Sequence, residues 1–126
     1  MNALIILAHG SRKEESALQV AALCKKVSEK CGNQFDEVEY AFLQFGEPLL
    51  TDKIENLVEK GSKKIIIFPF FIAAGSHVLI DIPTMVEKAC QDYPGVEFSI
   101  TRYLGIIESI EDLILAEVDS HCKKLG

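Results

Sequence analysis

The sequence lacks an apolar run long enough to cross a bilayer. Its longest, residues 65–74, contains Pro69 and falls well short of the ~20 residues that a membrane helix requires. Positive charge is also scarce: 13 Lys and Arg stand against 19 Asp and Glu, a formal net charge of −6, so the basic footprint of a nucleic-acid binder is missing. The four cysteines, Cys24, Cys31, Cys90 and Cys122, show no C-x-x-C spacing and fall in segments that read as helical. They are expected as free, buried thiols acting as small hydrophobes. His121 beside Cys122 adds no metal site, because adjacent residues on a helix point in different directions. Neither G-x-x-x-x-G-K-S/T nor G-x-G-x-x-G occurs, which removes the strongest nucleotide signals, and no G-x-S-x-G elbow is present to make Ser11 a nucleophile. No basic segment precedes the apolar stretch 3–8, so no signal peptide is expected and the cytoplasm is the expected compartment.

What is there is the composition of an ordinary globular domain, with 48% apolar and 25% charged residues. At 126 residues, folding buries roughly two-thirds of the surface of the unfolded chain, and such a core needs neither disulfide nor structural metal. No low-complexity stretch or linker interrupts the chain, so residues 1–126 read as one domain.

Hydrophobic periodicity alternates between two kinds. Residues 3–8 (ALIILA) form a continuous apolar run of the kind that makes a strand covered on both faces, bounded by Gly10 and Ser11. Over 14–31, Ala17, Val20, Ala21, Cys24, Val27 and Cys31 recur at helical spacing, and Gly32 and Asn33 end the helix. Residues 38–43 (VEYAFL) read as a second strand. Pro48 then suits the first turn of a helix whose buried stripe is Leu50, Ile54, Leu57 and Val58. Residues 64–72 (KIIIFPFFI) read as a third, buried strand whose pairing Pro69 limits on one side. Asp81 and Pro83 have the pattern of a cap and first turn, with Val86, Ala89 and Cys90 facing inward. Residues 96–104 read as a fourth strand, and 107–122 as a last helix with Ile110, Leu113, Ile114 and Val118 at helical spacing. This alternation predicts an α/β fold: one four-stranded parallel sheet of order 2-1-3-4, flavodoxin-like, with helices on both faces.

In such sheets ligands bind beyond the carboxyl ends of the strands, where the strand order reverses, here between the first and third strands. His9 and Gly10 follow the first strand at once, and His77 lies beyond the third, after Ala73, Ala74, Gly75 and Ser76. Two of only three histidines are thus expected to converge on the best ligand position. A neutral imidazole is both the commonest transition-metal ligand and a general base tunable near pH 7. Gly10 and Ser11 lie where backbone donors at the start of the first helix could hold an anion, although Ser11 suits helix capping equally well.

Three segments, 4–12 (LIILAHGSR), 42–49 (FLQFGEPL) and 69–83 (PFFIAAGSHVLIDIP), resemble the CbiX family of class II tetrapyrrole chelatases in its short form, in the same order and separation. The family's later L-G-x-H-P piece is replaced here by Leu104, Gly105, Ile106, Ile107 and Glu108. The resemblance implies a chelatase-like half module that pairs as a homodimer. It implies insertion of Co²⁺, or of Fe²⁺ or Ni²⁺, into sirohydrochlorin or a related tetrapyrrole without a nucleotide, as in cobalamin biosynthesis. Matched residue by residue, it places a catalytic, metal-binding pair on His9 and His77 and an acidic position on Glu47, a third ligand or proton acceptor. Gly10, Ser11, Arg12, Gly75 and Ser76 are the expected substrate-binding residues. An acidic chain must attract a polycarboxylate ring through a local patch such as Arg12, Lys13 and Arg102. Ferrochelation of the same ring and a non-catalytic metal or tetrapyrrole carrier stay open as alternatives.

Overall fold

The computed structural model describes residues 1–126, with the side chain of His77 outside the described set. Strands β1 (Asn2–Ala8), β2 (Glu37–Phe42), β3 (Lys64–Pro69) and β4 (Glu97–Ile100) alternate with helices α1 (Glu14–Lys30), α2 (Leu50–Glu59), α3 (Ser76–Asp92) and α4 (Ser109–Ser120). A single 3-10 turn at Leu104–Ile106 precedes α4. The strands form one parallel sheet of order β2-β1-β3-β4, as the alternation of periodicities predicts.

Register decides which residues meet which helix. Ala3, Ile5 and Leu7 of β1 share a face with Ile65 and Ile67 of β3, and all are fully buried beneath Leu50, Ile54 and Leu57 of α2 and Ile82, Val86 and Ala89 of α3. Removing such side chains from water contributes roughly 1.5–3 kcal/mol for each Ile or Leu. On the opposite face Ile6 and Val38 pack around Cys24 of α1, and Ala8 and Phe42 around Val20. Over β3 this second cover thins, and Ile66 and Phe68 remain partly exposed.

Several boundaries depart from the sequence reading. α3 begins at Ser76 rather than at Asp81, so Pro83 lies inside the helix. Proline there forfeits the bond to the Leu79 carbonyl and crowds that turn. One residue on, the Thr84 hydroxyl donates to the Ile80 carbonyl oxygen at 3.0 Å. Pro48 precedes the N-cap Leu49 instead of occupying the first turn of α2, and the Glu47–Pro48 bond is cis. β3 stops at Pro69, and its ladder to β4 ends earlier still, at Ile67 opposite Ile100. The last helix spans Ser109–Ser120 and buries none of its side chains.

The cysteines divide as well. Cys24 is buried, and its thiol donates to the Val38 carbonyl oxygen at 3.4 Å. Burial, with the negative charge of Glu39 behind it, pushes that thiol up from its ordinary 9.0 to about 11, against a smaller opposing pull from Lys53. Cys31 is partly buried, whereas Cys90 and Cys122 are exposed, contrary to expectation. Cys90 falls beside the Val86–Ala89 stripe of α3 rather than on it, and Cys122 follows a helix none of whose side chains is fully buried. Among the described residues, no helix is long and apolar enough to cross a membrane.

Candidate functional site

His9 sits where β1 runs out, and its backbone is fixed from both sides. The Leu43 N–H donates to the Ala8 carbonyl oxygen (3.1 Å) and the Gln44 N–H to that of His9 (3.2 Å), which carries the β1–β2 pairing past the strands. On the other side the Phe70 N–H donates to the Leu7 carbonyl oxygen at 2.7 Å. Gly10 makes the exit possible. Its φ is +104°, and a Cβ there would fall 1.6 Å from the Gln44 carbonyl oxygen, so the two loops touch backbone to backbone.

The His9 ring is exposed. It meets Phe71 edge-on, with centroids 6.2 Å apart and planes at 85°, and its Nε2 lies 3.5 Å from the Gln44 amide nitrogen. Together with residues 70–75 and Val78 of the first turn of α3, His9 lines an open cavity of about 440 Å³ at the carboxyl ends of β1 and β3. Gly75, the N-cap of α3, belongs to this wall, and no side chain caps the helix. Ser76 and His77 are the first two residues of α3, so their backbone adjoins the cavity between Gly75 and Val78. The convergence of the two imidazoles falls outside the described side chains.

Other expected residues lie around this cavity rather than in it. Ser11 accepts the Lys13 N–H at 3.1 Å, a local turn before α1. The Arg12 guanidinium stacks over the Phe45 ring at 4.6 Å, tying the loop after β1 to the loop after β2. Glu47 is exposed and lines a separate, wider cleft of about 820 Å³ with Phe45, Asp52 and Lys53. Arg102 is drawn out of the expected cationic patch: its two terminal guanidinium nitrogens each donate to a Glu108 carboxylate oxygen at 3.3 Å, and this hydrogen-bonded pairing holds that carboxyl below its usual range. Among the described residues, no three His, Cys, Asp or Glu side chains converge as a metal site.

The sequence reading did not single out Gln44, Phe45, Phe70 or Phe71. Their signal was positional, since each follows the end of a strand adjacent to β1 or is β1's direct neighbour across the switch point.

The CbiX family model matches residues 3–121, nearly the whole chain and all of this site. The chain belongs to the CbiX family. It is 33% identical over 119 residues to a chloroplastic sirohydrochlorin ferrochelatase of Arabidopsis thaliana, covering 94% of this chain and 52% of the plant protein. A sirohydrochlorin cobaltochelatase of Sulfurisphaera tokodaii is 32% identical over 122 residues, covering 94% of this chain and 92% of that one. The sirohydrochlorin chelatase SirB of Bacillus subtilis subspecies spizizenii, solved in complex with cobalt, shares the fold with a TM-score of 0.80 at 23% identity, over 95% of this chain and 50% of SirB. This CbiX chain therefore spans about half the length of the plant relative and of SirB, and nearly all of the archaeal one.

Proposed function

We propose that this CbiX protein inserts a divalent metal ion, Co²⁺ foremost, into sirohydrochlorin or a related tetrapyrrole, with the metal as substrate and no nucleotide. The observation that carries the reading is the placement of His9 in an open cavity at the switch point, with the residues around His77 forming the facing rim, in a chain whose relatives are named as chelatases of this ring. Metallation requires a divalent ion held by few, exchangeable ligands and two pyrrole protons accepted by nearby bases. Imidazoles supply both functions, and Co²⁺ and Fe²⁺ sit mid-order in affinity, so four ring nitrogens can take the ion from them. His9 and His77 are the catalytic and metal-binding pair in this reading. Glu47 serves as an acidic group on the neighbouring cleft, as metal ligand or proton acceptor along the approach. Gly10, Ser11, Arg12, Gly75 and Ser76 meet the ring, and Arg12, already fixed over Phe45, faces its carboxylates. The working form is a cytoplasmic homodimer of this half-length module. Fe²⁺ is the second reading, favoured by the name of the plant relative.

Anaerobic incubation of the pure protein with sirohydrochlorin and Co²⁺, Fe²⁺ or Ni²⁺, followed by visible spectroscopy against a blank, measures the activity directly. Replacing His9 or His77 by Ala is expected to lower turnover by roughly 10²-fold or more, the range for loss of a general base. His9 lies at a cavity mouth, so His9→Ala is expected to leave thermal stability nearly unchanged. Wild-type rates in both variants and in the double variant would overturn the assignment, and binding of ring or metal without turnover would make the protein a carrier.

A further inference from the structure

β4 leaves the sheet beside a second cavity. The Thr101 N–H donates to the Ile67 carbonyl oxygen and the Gly105 N–H to that of Phe71, both at 2.9 Å. Between these two pins the ladder stops, because an N–H at residue 69 would continue it and Pro69 has none. The gap holds a cavity of about 340 Å³, walled by Pro69, Phe71, Leu79, Pro83, Ile100 and Ile106 among others. Phe71 is also a wall of the His9 cavity, and Leu79 follows Val78 of that cavity in the first turn of α3. The two cavities therefore adjoin along the carboxyl edge of the sheet. Leu79, Ile100 and Ile106 are exposed, which makes the rim of the second cavity apolar. Among its described lining residues one is charged, Arg102.

The Arg102 guanidinium already holds a carboxylate. Its Nη1 and Nη2 donate to different oxygens of Glu108, the fork-on-fork arrangement by which arginine receives such a group. Glu108 reaches it from six residues along the chain, past the turn that Gly105 anchors. Both side chains are exposed, 57% and 82%. An ion pair so open to water contributes little, so exchanging Glu108 for another carboxylate costs little.

We propose that Arg102 receives a peripheral carboxylate of the tetrapyrrole, that Glu108 keeps the seat while the ring is absent, and that the edge of the ring rests on Leu79, Ile100 and Ile106. The inference rests on the ring-binding reading above and adds the residue that orients the ring. Span agrees: β1 and β4 lie on either side of β3, roughly 10 Å apart. A flat macrocycle with its nitrogens over His9 thus carries its carboxylate arms out over β4. Charge agrees, since a chain of net charge −6 can attract a polycarboxylate only through a local cation. The chemistry of the wall agrees as well, because an apolar shelf ending in one guanidinium matches a pyrrole edge that ends in one carboxylate arm.

Titration of metal-free sirohydrochlorin into the whole protein, followed by the absorbance of the ring and with circular dichroism as a folding control, tests the exchange. Arg102→Ala is expected to weaken ring binding about tenfold, the order for loss of charge-assisted hydrogen bonds. The same loss is expected in the KM for the ring during Co²⁺ insertion and not in that for Co²⁺. Arg102→Lys is expected to recover only part of it, since an ammonium cannot make two parallel bonds. Glu108→Gln is expected to act in the opposite direction and tighten ring binding on the order of threefold, the scale of an exposed ion pair. In the Arg102→Ala background the same change is expected to gain nothing. A gain there traces to general repulsion and overturns the exchange. Wild-type ring binding in Arg102→Ala, or weaker binding in Glu108→Gln as for a pair that merely braces the turn, also overturns it and leaves the ring-binding reading standing. A wild-type protein that binds no ring overturns that reading and this inference with it.

Discussion

On the face of the sheet that α2 and α3 share, Ile65 and Ile67 are fully buried, while on the other face of the same strand Ile66 and Phe68 stay partly exposed because α1 serves chiefly β1 and β2. The residues are alike in chemistry. The difference comes entirely from how many helices lie above them, so within one half-length module one face of the core is complete and the other is not. Strand periodicity cannot register this, because an unbroken apolar run looks the same whether its second cover comes from its own chain or from elsewhere.

The largest effect that would sharpen the comparison is a truncation on the complete face. Ile67→Ala is expected to cost about 2–5 kcal/mol in urea unfolding, whereas Ile66→Ala is expected to cost less than about 2 kcal/mol. Equal losses would break the contrast between the faces. A smaller effect concerns the thiols. Cys24, beneath α1, is expected to resist alkylation at pH 8 in the folded protein while Cys90 and Cys122 react, as mass spectrometry of the labelled chain would show. Because folding raises the Cys24 value from 9.0 to about 11, its contribution to stability is complete below pH 9 and is lost as pH rises towards 11. Replacing Cys24 by Ala should flatten that alkaline fall. The smallest effect belongs to the margin beside α4. Folding lowers the Glu108 carboxyl, so its pairing with Arg102 helps above the ordinary carboxylate range and is lost as pH falls through the lowered value. The pair is solvent-exposed and screened, so Glu108→Gln should shift the melting temperature slightly and only at low salt.

Strand order, the position of His9 at the switch point and the stripes of α1 and α2 were readable from residue patterns, because each rests on local periodicity and on a crossover rule with one handedness. Pro83 misled because proline in a first helical turn and proline in a helix interior look alike in sequence. The exposure of α4 was unreadable for a different reason: Ile110, Leu113, Ile114 and Val118 state that the helix has an apolar face but not whose surface it meets. Around the cavity, His9 and Gly75 were legible as strand-end and small-residue signals. The edge-on Phe71 and the amide of Gln44 became visible only with the register between neighbouring strands. Glu47 shows the limit of motif proximity, since three residues of loop carry it from Gln44, beside His9, into another cleft.

The contact between Gly10 and the Gln44 carbonyl has a mechanical side. A peptide oxygen occupies the place of a methyl group, so the imidazole of His9 stands on a ledge with no neighbouring side chain rising from residue 10. Whatever reaches His9 across that ledge meets backbone rather than a movable side chain. The level of the ledge is set by two braced strands, and a single added methyl at residue 10 would force the two loops apart.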